Sequence, residues 1–260
     1  MAVPFRDDFD EGLDLDRWLP SYLPHWSSRA EAAATWTVED SSLVVSIPAE
    51  HGLWCEGTHE TPLRVSGVQS GAFSGAVGST VGQQPFADGL VVCEQQPLWT
   101  GWTWEGGLLE VRARMELSPR SMASVWMIGV EDAPERCGEI CVFEVFGDAI
   151  DPDAAAVGQG MHPFRDPALA DDFEALSHPI DVAGWHTYAA DWRPDRVDFF
   201  VDGVITRTVH QSPAYPMQME IAVFDFPDRS VAGDDGHVPR LLVDAVRVTD
   251  GSGSAGRVTA

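Results

Sequence analysis

CGEICVFEVFG, residues 137–147, is the stretch on which the fold and the chemistry both turn. Ile140, Val142, Phe143, Val145 and Phe146 favour a pleated, half-buried strand, and no polar stripe of helical period interrupts them. Yet Glu139 and Glu144 lie inside the same run, five positions apart. Side chains alternate faces along a regular strand, so an odd separation sets two of them on opposite sides. An ionised carboxylate among apolar neighbours is costly unless something holds it there. One extra residue, a β-bulge, would bring Glu139, Cys141 and Glu144 onto a common face, and bulges concentrate beside active sites. The pattern therefore predicts a bulged strand with two carboxyls on one face; a pair roughly 5 Å apart is what lets one attack while the other moves a proton.

The rest of the chain extends the β reading. TWTVEDSSLVVSI (35–47) is two strand-like runs around a polar turn at Glu39–Ser42. In GLLEVRARMEL (107–117), Leu109, Val111, Ala113 and Met115 share one face, with Glu110, Arg112, Arg114 and Glu116 on the other. RVDFFVDGVITRTV (196–209) is a hairpin with Asp202-Gly203 at its tip, a dipeptide suited to tight primed turns. RLLVDAVRV (240–248) supplies a closing strand, and DPALADDFEAL (166–176) is at most a short helix on a loop. Many short strands punctuated by Gly and Pro predict an all-β fold, a β-sandwich jelly roll of two curved antiparallel sheets with a concave cleft. Absence of a composition break makes residues 1–250 one domain, followed by a flexible tail over 251–260 (GSGSAGRVTA).

Composition limits the partners. Sixteen basic against 41 acidic residues give a formal charge of −25 in a chain of 260 residues, which disfavours nucleic-acid backbones and anionic membranes. Such a surface tolerates a neutral ligand, and a monomer is the simplest expectation. No apolar run reaches the length of a membrane span. MAVPFRDDFD lacks a basic region followed by an apolar one, so the chain as given shows no signal peptide, and its compartment is left open.

Two further clusters invite a chemical reading. His51, Cys55 and His59 fall at four-residue intervals, but Gly52, Gly57, Pro48 and Pro62 break the helix that would align them as metal ligands. Ten tryptophans are heavy use, and PLWTGWTWEGG (97–107) holds Trp99, Trp102 and Trp104. These indoles either fill the core or form a platform for the apolar face of a pyranose ring. A sugar would account for both the aromatics and the paired acids.

GEICVFE (138–144) resembles the catalytic strand of glycoside hydrolase family 16, whose signature is Glu-x-Asp-x-x-Glu with a bulge, in laminarinase-like enzymes of the concanavalin-A-like sandwich. RDDFDEGLDLDRW, GLLEVRARM, ASVWMIG, GWHTYAADWRPDRVDFFVDGV and LLVDAVRV resemble other segments of that family, in its order, over most of residues 5–249. The resemblance implies a retaining, endo-acting β-glycan hydrolase, with β-1,3- or mixed-linkage β-glucan as substrate. It implies that Glu139 is the nucleophile and Glu144 the general acid/base. Trp126 matches a cleft tryptophan and His162 a cleft histidine, while Trp102, Trp104 and Arg112 become candidates for the sugar-binding wall. His186 and Trp192 are expected to be scaffold. No cofactor is required, although members often carry a structural calcium partly through an aspartate in the last strand, the place of Asp244.

One departure falls at the centre: the family's middle aspartate is Cys141 here. A neutral thiol adds no charge, so Glu139 is expected to ionise more easily than beside a carboxylate. Cys137 and Cys141 are four residues apart, roughly 13 Å along an extended strand, too far for a disulfide. Two alternatives stand beside the hydrolase: a carbohydrate-binding protein that has lost turnover, and a transglycosylase that differs only in its acceptor.

Overall fold

The computed structural model describes residues 4–232, 234 and 236–250. The expected tail over 251–260 lies outside the described residues. Among the described residues, antiparallel strands form two large sheets, as the alternating sequence patterns predict. The first runs in the order Val204–Val209, Val197–Val201, His186–Trp192, Gly107–Glu116, Arg240–Thr249, Ser42–Ser46 and Thr35–Glu39, with Phe5–Asp7 also paired to Arg240–Thr249. The second runs Ile150–Asp151, Ala154–His162, Glu139–Phe146, Ser121–Gly129, Met217–Asp225 and Arg64–Gln69, with Asp172–His178 also paired to Ala154–His162.

Inward-facing residues of the two sheets make the main core. Leu109, Val111, Ala113 and Met115 from the first sheet meet Val125, Met127, Val142, Phe143 and Ile221 from the second. Each of these side chains larger than alanine contributes roughly 1.5–3 kcal/mol when removed from water. Both predicted hairpins are present. Asp40 and Ser41 take positive φ at one tip, Asp202 and Gly203 at the other, the left-handed pair that a primed turn demands.

Asp172–His178 is a strand, where the sequence suggested a short helix at best. Its seven residues pair with Met161 through Ala155, and ladder hydrogen bonds outweigh the weak local helix preference. Gly160 makes the approach feasible: its φ is +146°, and a Cβ there would lie 2.3 Å from the Asp172 carbonyl oxygen.

A second apolar cluster sits on the outer face of the second sheet. Met122, Trp126, Ile128, Ala222 and Phe224 project away from the main core and are covered by Leu23, Trp26, Trp54, Leu63, Leu90 and Val92 from three connecting segments. This covering determines how much of the face beside the glutamates remains open.

Candidate active site

The glutamate strand contains the bulge its spacing requires. Against Ser121–Gly129, Glu144 pairs with Ser124 and Phe143 with Val125, but Trp126 then pairs with Cys141, leaving Val142 as the extra residue. The same shift appears against the other neighbour, where Gly158 faces Glu144 and Gly160 faces Cys141. Val142 and Phe143 consequently both point into the main core. Glu139, Cys141 and Glu144 emerge together on the outer face.

Electrostatics couple the two acids. Burial, reinforced by the charge of Glu144, pushes the Glu139 carboxyl up to about 8. Glu144 is also raised by burial, with His162 opposing the shift. The pair is thus built to hold a proton near neutral pH, as a site with one acid and one anion requires. Cys141 is buried and its thiol is driven well above the usual range by desolvation and both glutamates, so it is neutral and carries no charge between them. Burial is the first cause of the Glu139 shift, and the neutral thiol adds no like charge to it.

His162 is brought to the site. It pairs in register with Glu139, and its Nδ1–H donates to Asp171 Oδ1 at 2.7 Å. Its ring stacks with Phe173 at 4.7 Å between centroids. Trp126 lies on the expected sheet and face, one strand away from Cys141, but is only 5% exposed, beneath Tyr22 and beside Phe224.

Three candidates belong elsewhere. Trp104 is 5% exposed within the main core, and Trp102 is clasped between Phe5 and Trp104, with centroids 3.5 and 4.2 Å away. Stacking neighbours occupy both faces of the Trp102 ring, so no face is left for a sugar. The two indoles border a cavity of about 930 Å³ with Trp192 and Pro213, which none of the site glutamates lines. Arg112 lies on the first sheet, its side chain pointing away from the core, where it pairs with Asp244 at 2.8 Å and stacks on Trp185 at 4.8 Å. Its neighbours in the strand, Val111 and Ala113, take the inward positions, so alternation forces it outward.

That ion pair also bears on calcium. The Asp244 carboxylate is engaged by a guanidinium, and no group of three or more His, Cys, Asp or Glu side chains among the described residues could hold a metal. A calcium at Asp244 would have to displace that guanidinium and draw its other oxygen ligands from backbone carbonyls and water. His51 is likewise committed, to Thr35 and the Val65 carbonyl, and His59 to the Thr61 carbonyl. All four cysteines are free thiols, Cys137 and Cys141 among them. Trp192 is core, with its indole N–H donating to the Pro213 carbonyl, and His186 bridges Asp202 and the Asp181 carbonyl.

Several residues at the site escaped the sequence reading. Glu220, fully buried on the same face, pairs in register with Trp126; its Oε1 accepts from Gln84 Nε2 at 2.5 Å and Gln218 Nε2 at 3.0 Å. Burial holds this carboxyl well above its ordinary range. The signal was available: MQMEIAVFD repeats the anomaly of a glutamate inside an apolar strand. Glu131, pushed up to about 7 by burial, accepts from the Gln84 backbone N–H and pairs with Arg165. Tyr215 O–H donates to Asp166 and accepts from the Gly138 N–H at 2.7 Å, bracing the backbone directly before Glu139.

A two-sheet antiparallel sandwich with a bulged strand presenting coupled carboxyls is the architecture of a glycan-processing domain. Residues 105–238 match the model of glycosyl hydrolases family 16, just over half of the chain, and the chain belongs to that family. A probable glycosidase, CRR1, of Saccharomyces cerevisiae is 43% identical over a 61-residue alignment, which covers 18% of this chain and 14% of that protein. The GlcNAcα1-4Gal releasing endo-β-galactosidase of Clostridium perfringens superposes with a TM-score of 0.80 at 24% identity, over 95% of this chain and 62% of that one. A laminarinase of Flavobacterium sp. UMI-01 gives 0.63 at 18% identity, over 95% of this chain and 99% of the other.

Proposed function

We propose that this chain is a retaining, endo-acting β-glycan hydrolase in which Glu139 and Glu144 perform the chemistry. The observation that carries the reading is the bulge at Val142, which sets both carboxyls on one open-sided face. In the first step Glu139 bonds to the anomeric carbon as the glycosidic C–O bond breaks, and Glu144 gives its proton to the departing oxygen. In the second, Glu144 takes a proton from water, whose oxygen bonds to the same carbon and releases Glu139. Burial raises the Glu144 carboxyl, the direction a proton donor needs. Neutral Cys141 stands where the family carries an aspartate, so the balance between the acids rests on burial and their mutual charge.

For the substrate, we propose β-1,3- or mixed-linkage β-glucan, on the laminarinase-like spacing of the motif. A β-galactan is the second reading, favoured by the closer superposition on the clostridial endo-β-galactosidase. The test measures new reducing ends from laminarin, mixed-linkage β-glucan, agarose, carrageenan and galactan, with proton NMR of the first-formed anomer. Net retention is expected, with activity lost in Glu139→Gln. Binding without release, unaffected by that substitution, would establish the carbohydrate-binding alternative instead; transfer to added sugars in place of water would establish a transglycosylase.

A further inference from the structure

We propose that Phe164 and Phe173, with His162 between them, form the aromatic surface on which a sugar beside the cleaved bond stacks. The proposal rests on the glycan-hydrolase reading and deepens it by naming residues that hold the chain. A pyranose ring has an apolar face that packs on aromatic side chains, and the tryptophans expected to supply one are committed elsewhere. Trp102 and Trp104 pack with the main core, and Trp126 is 5% exposed.

The strand next to the glutamates, Ala154–His162, has little bulk on its outer face. His162, Gly160 and Gly158 stand opposite Glu139, Cys141 and Glu144 in register. Cross-strand partners have Cβ positions about 5 Å apart, so whatever fills this face stands next to the acids. Phe173 fills it. It pairs with Gly160 from the following strand, and its ring reaches back across the glycines: a Cβ at Gly158 would lie 2.4 Å from Phe173 Cζ. The ring stacks on His162 at 4.7 Å between centroids and 29° between planes, and it keeps solvent contact.

Phe164 comes from the turn that follows the same strand. Its ring centroid is 6.0 Å from that of His162, and the residue is 59% exposed. Its φ of +45° is one that a bulky side chain rarely adopts. A large ring left in water on a strained backbone does nothing for the core, and such strain gathers at ligand-binding sites. The turn is nonetheless fixed against the nucleophile strand. The Arg165 N–H donates to Cys137 Sγ at 3.1 Å, while Tyr215 donates to Asp166 and accepts from the Gly138 N–H. Phe164 and Glu139 are therefore held in one frame by contacts to residues 137 and 138. His162 is steadied separately, by Asp171 at its Nδ1.

The three rings make a continuous patch that begins one strand from the acids and reaches to the next, about 5–10 Å away. A glycan crossing the strands with its scissile bond at the carboxyls lays its neighbouring sugar on this patch.

The experiment separates the patch from the reading beneath it. Phe164→Ala, Phe164→Tyr, Phe173→Leu and Phe173→Tyr are made in wild-type and Glu139→Gln protein. Linear hexasaccharides of β-1,3-glucan, mixed-linkage β-glucan and β-galactan are titrated calorimetrically into the Glu139→Gln forms, and initial rates on the parent polymers are measured with the others. Phe164→Ala and Phe173→Leu are each expected to weaken binding about fivefold or more and to raise KM alike, with kcat within about threefold. The tyrosine variants, which keep the ring, stay within about twofold of their parents. Phe173→Leu keeps apolar bulk over the glycines and Phe164→Ala removes an exposed ring, so both fold, as thermal melts check. A purely structural role would leave glycan affinity unmoved in both. Unchanged affinity in either Phe164→Ala or Phe173→Leu overturns the patch while leaving hydrolysis intact. Ring-dependent binding without any cleavage keeps the patch and removes the hydrolase; no binding to any of the glycans overturns both.

Discussion

Glu139→Gln should stabilise the fold as it abolishes turnover, and the gain should depend on pH in a defined direction. The Glu139 carboxyl is held at about 8, against an ordinary 4.5, chiefly by burial and then by Glu144. A carboxyl raised in the folded state binds its proton more tightly there than in the unfolded chain. Its contribution is therefore neutral below 4.5 and becomes a growing penalty as pH rises from 4.5 to about 8, above which it is constant. At about 1.4 kcal/mol per pH unit the full gap would be worth about 5 kcal/mol. Glu139 retains partial solvent contact, which screens the charge and brings the expected figure to about 2–3 kcal/mol. Glutamine has nearly the same shape and no charge to desolvate, so it removes the penalty. For a domain of this size, that difference raises the melting temperature by about 5–10 °C. Thermal melts of wild type and variant at pH 4.5, 6.5 and 8.5 check it, since destabilisation from the overall acidity of the chain is nearly common to both. Equal melting temperatures at pH 8.5, or an advantage that grows toward acid, would refute the account of Glu139 as a desolvated acid.

Other residues give independent checks. Arg112→Ala should leave turnover within about twofold of wild type and cost at most about 1 kcal/mol, since its partner Asp244 is on the opposite sheet from the acids and the pair is partly exposed. Glu144→Gln should slow hydrolysis by about 10²–10⁴-fold, the range for losing a general acid, as measured by initial rates on the best glycan. Gly129→Ala should lower the melting temperature sharply or prevent folding, because the new Cβ would lie 1.8 Å from the Arg136 carbonyl oxygen. Cys141→Asp should be poorly tolerated at neutral pH and recover stability as pH falls: it adds a carboxyl to a buried site already raising two others, and urea midpoints at pH 5 and 8 report it.

The bulged strand was legible because its evidence is local. Apolar neighbours demanded burial, the five-residue spacing demanded a one-residue slip, and both demands act within a few residues of chain. Glu139, Glu144 and Cys141 followed, whereas His162 came from the family resemblance alone. Arg112 was misplaced for the opposite reason, whereas Asp244 lies in the last strand as expected. Alternation shows that Arg112 opposes Val111 and Ala113, but which sheet the strand enters depends on partners more than a hundred residues distant, such as Arg240–Thr249. Trp102 and Trp104 posed the same difficulty, since an indole that fills a core and one that carries a sugar have the same chemistry in sequence.

The sequence by itself determined the β-sandwich, the bulge and the identity of the paired acids, because strand period, turn chemistry and the cost of a carboxylate among apolar side chains are short-range physics. Only the tertiary structure decided that Trp126 is covered, that Glu220 and Tyr22 attend the site, and that the face beside the glutamates is covered on one side. Those facts depend on residues 19–33, 51–63 and 74–97 folding back over a sheet built mostly from later segments. No local pattern encodes such a return, since it is set by which apolar surface those segments find to bury.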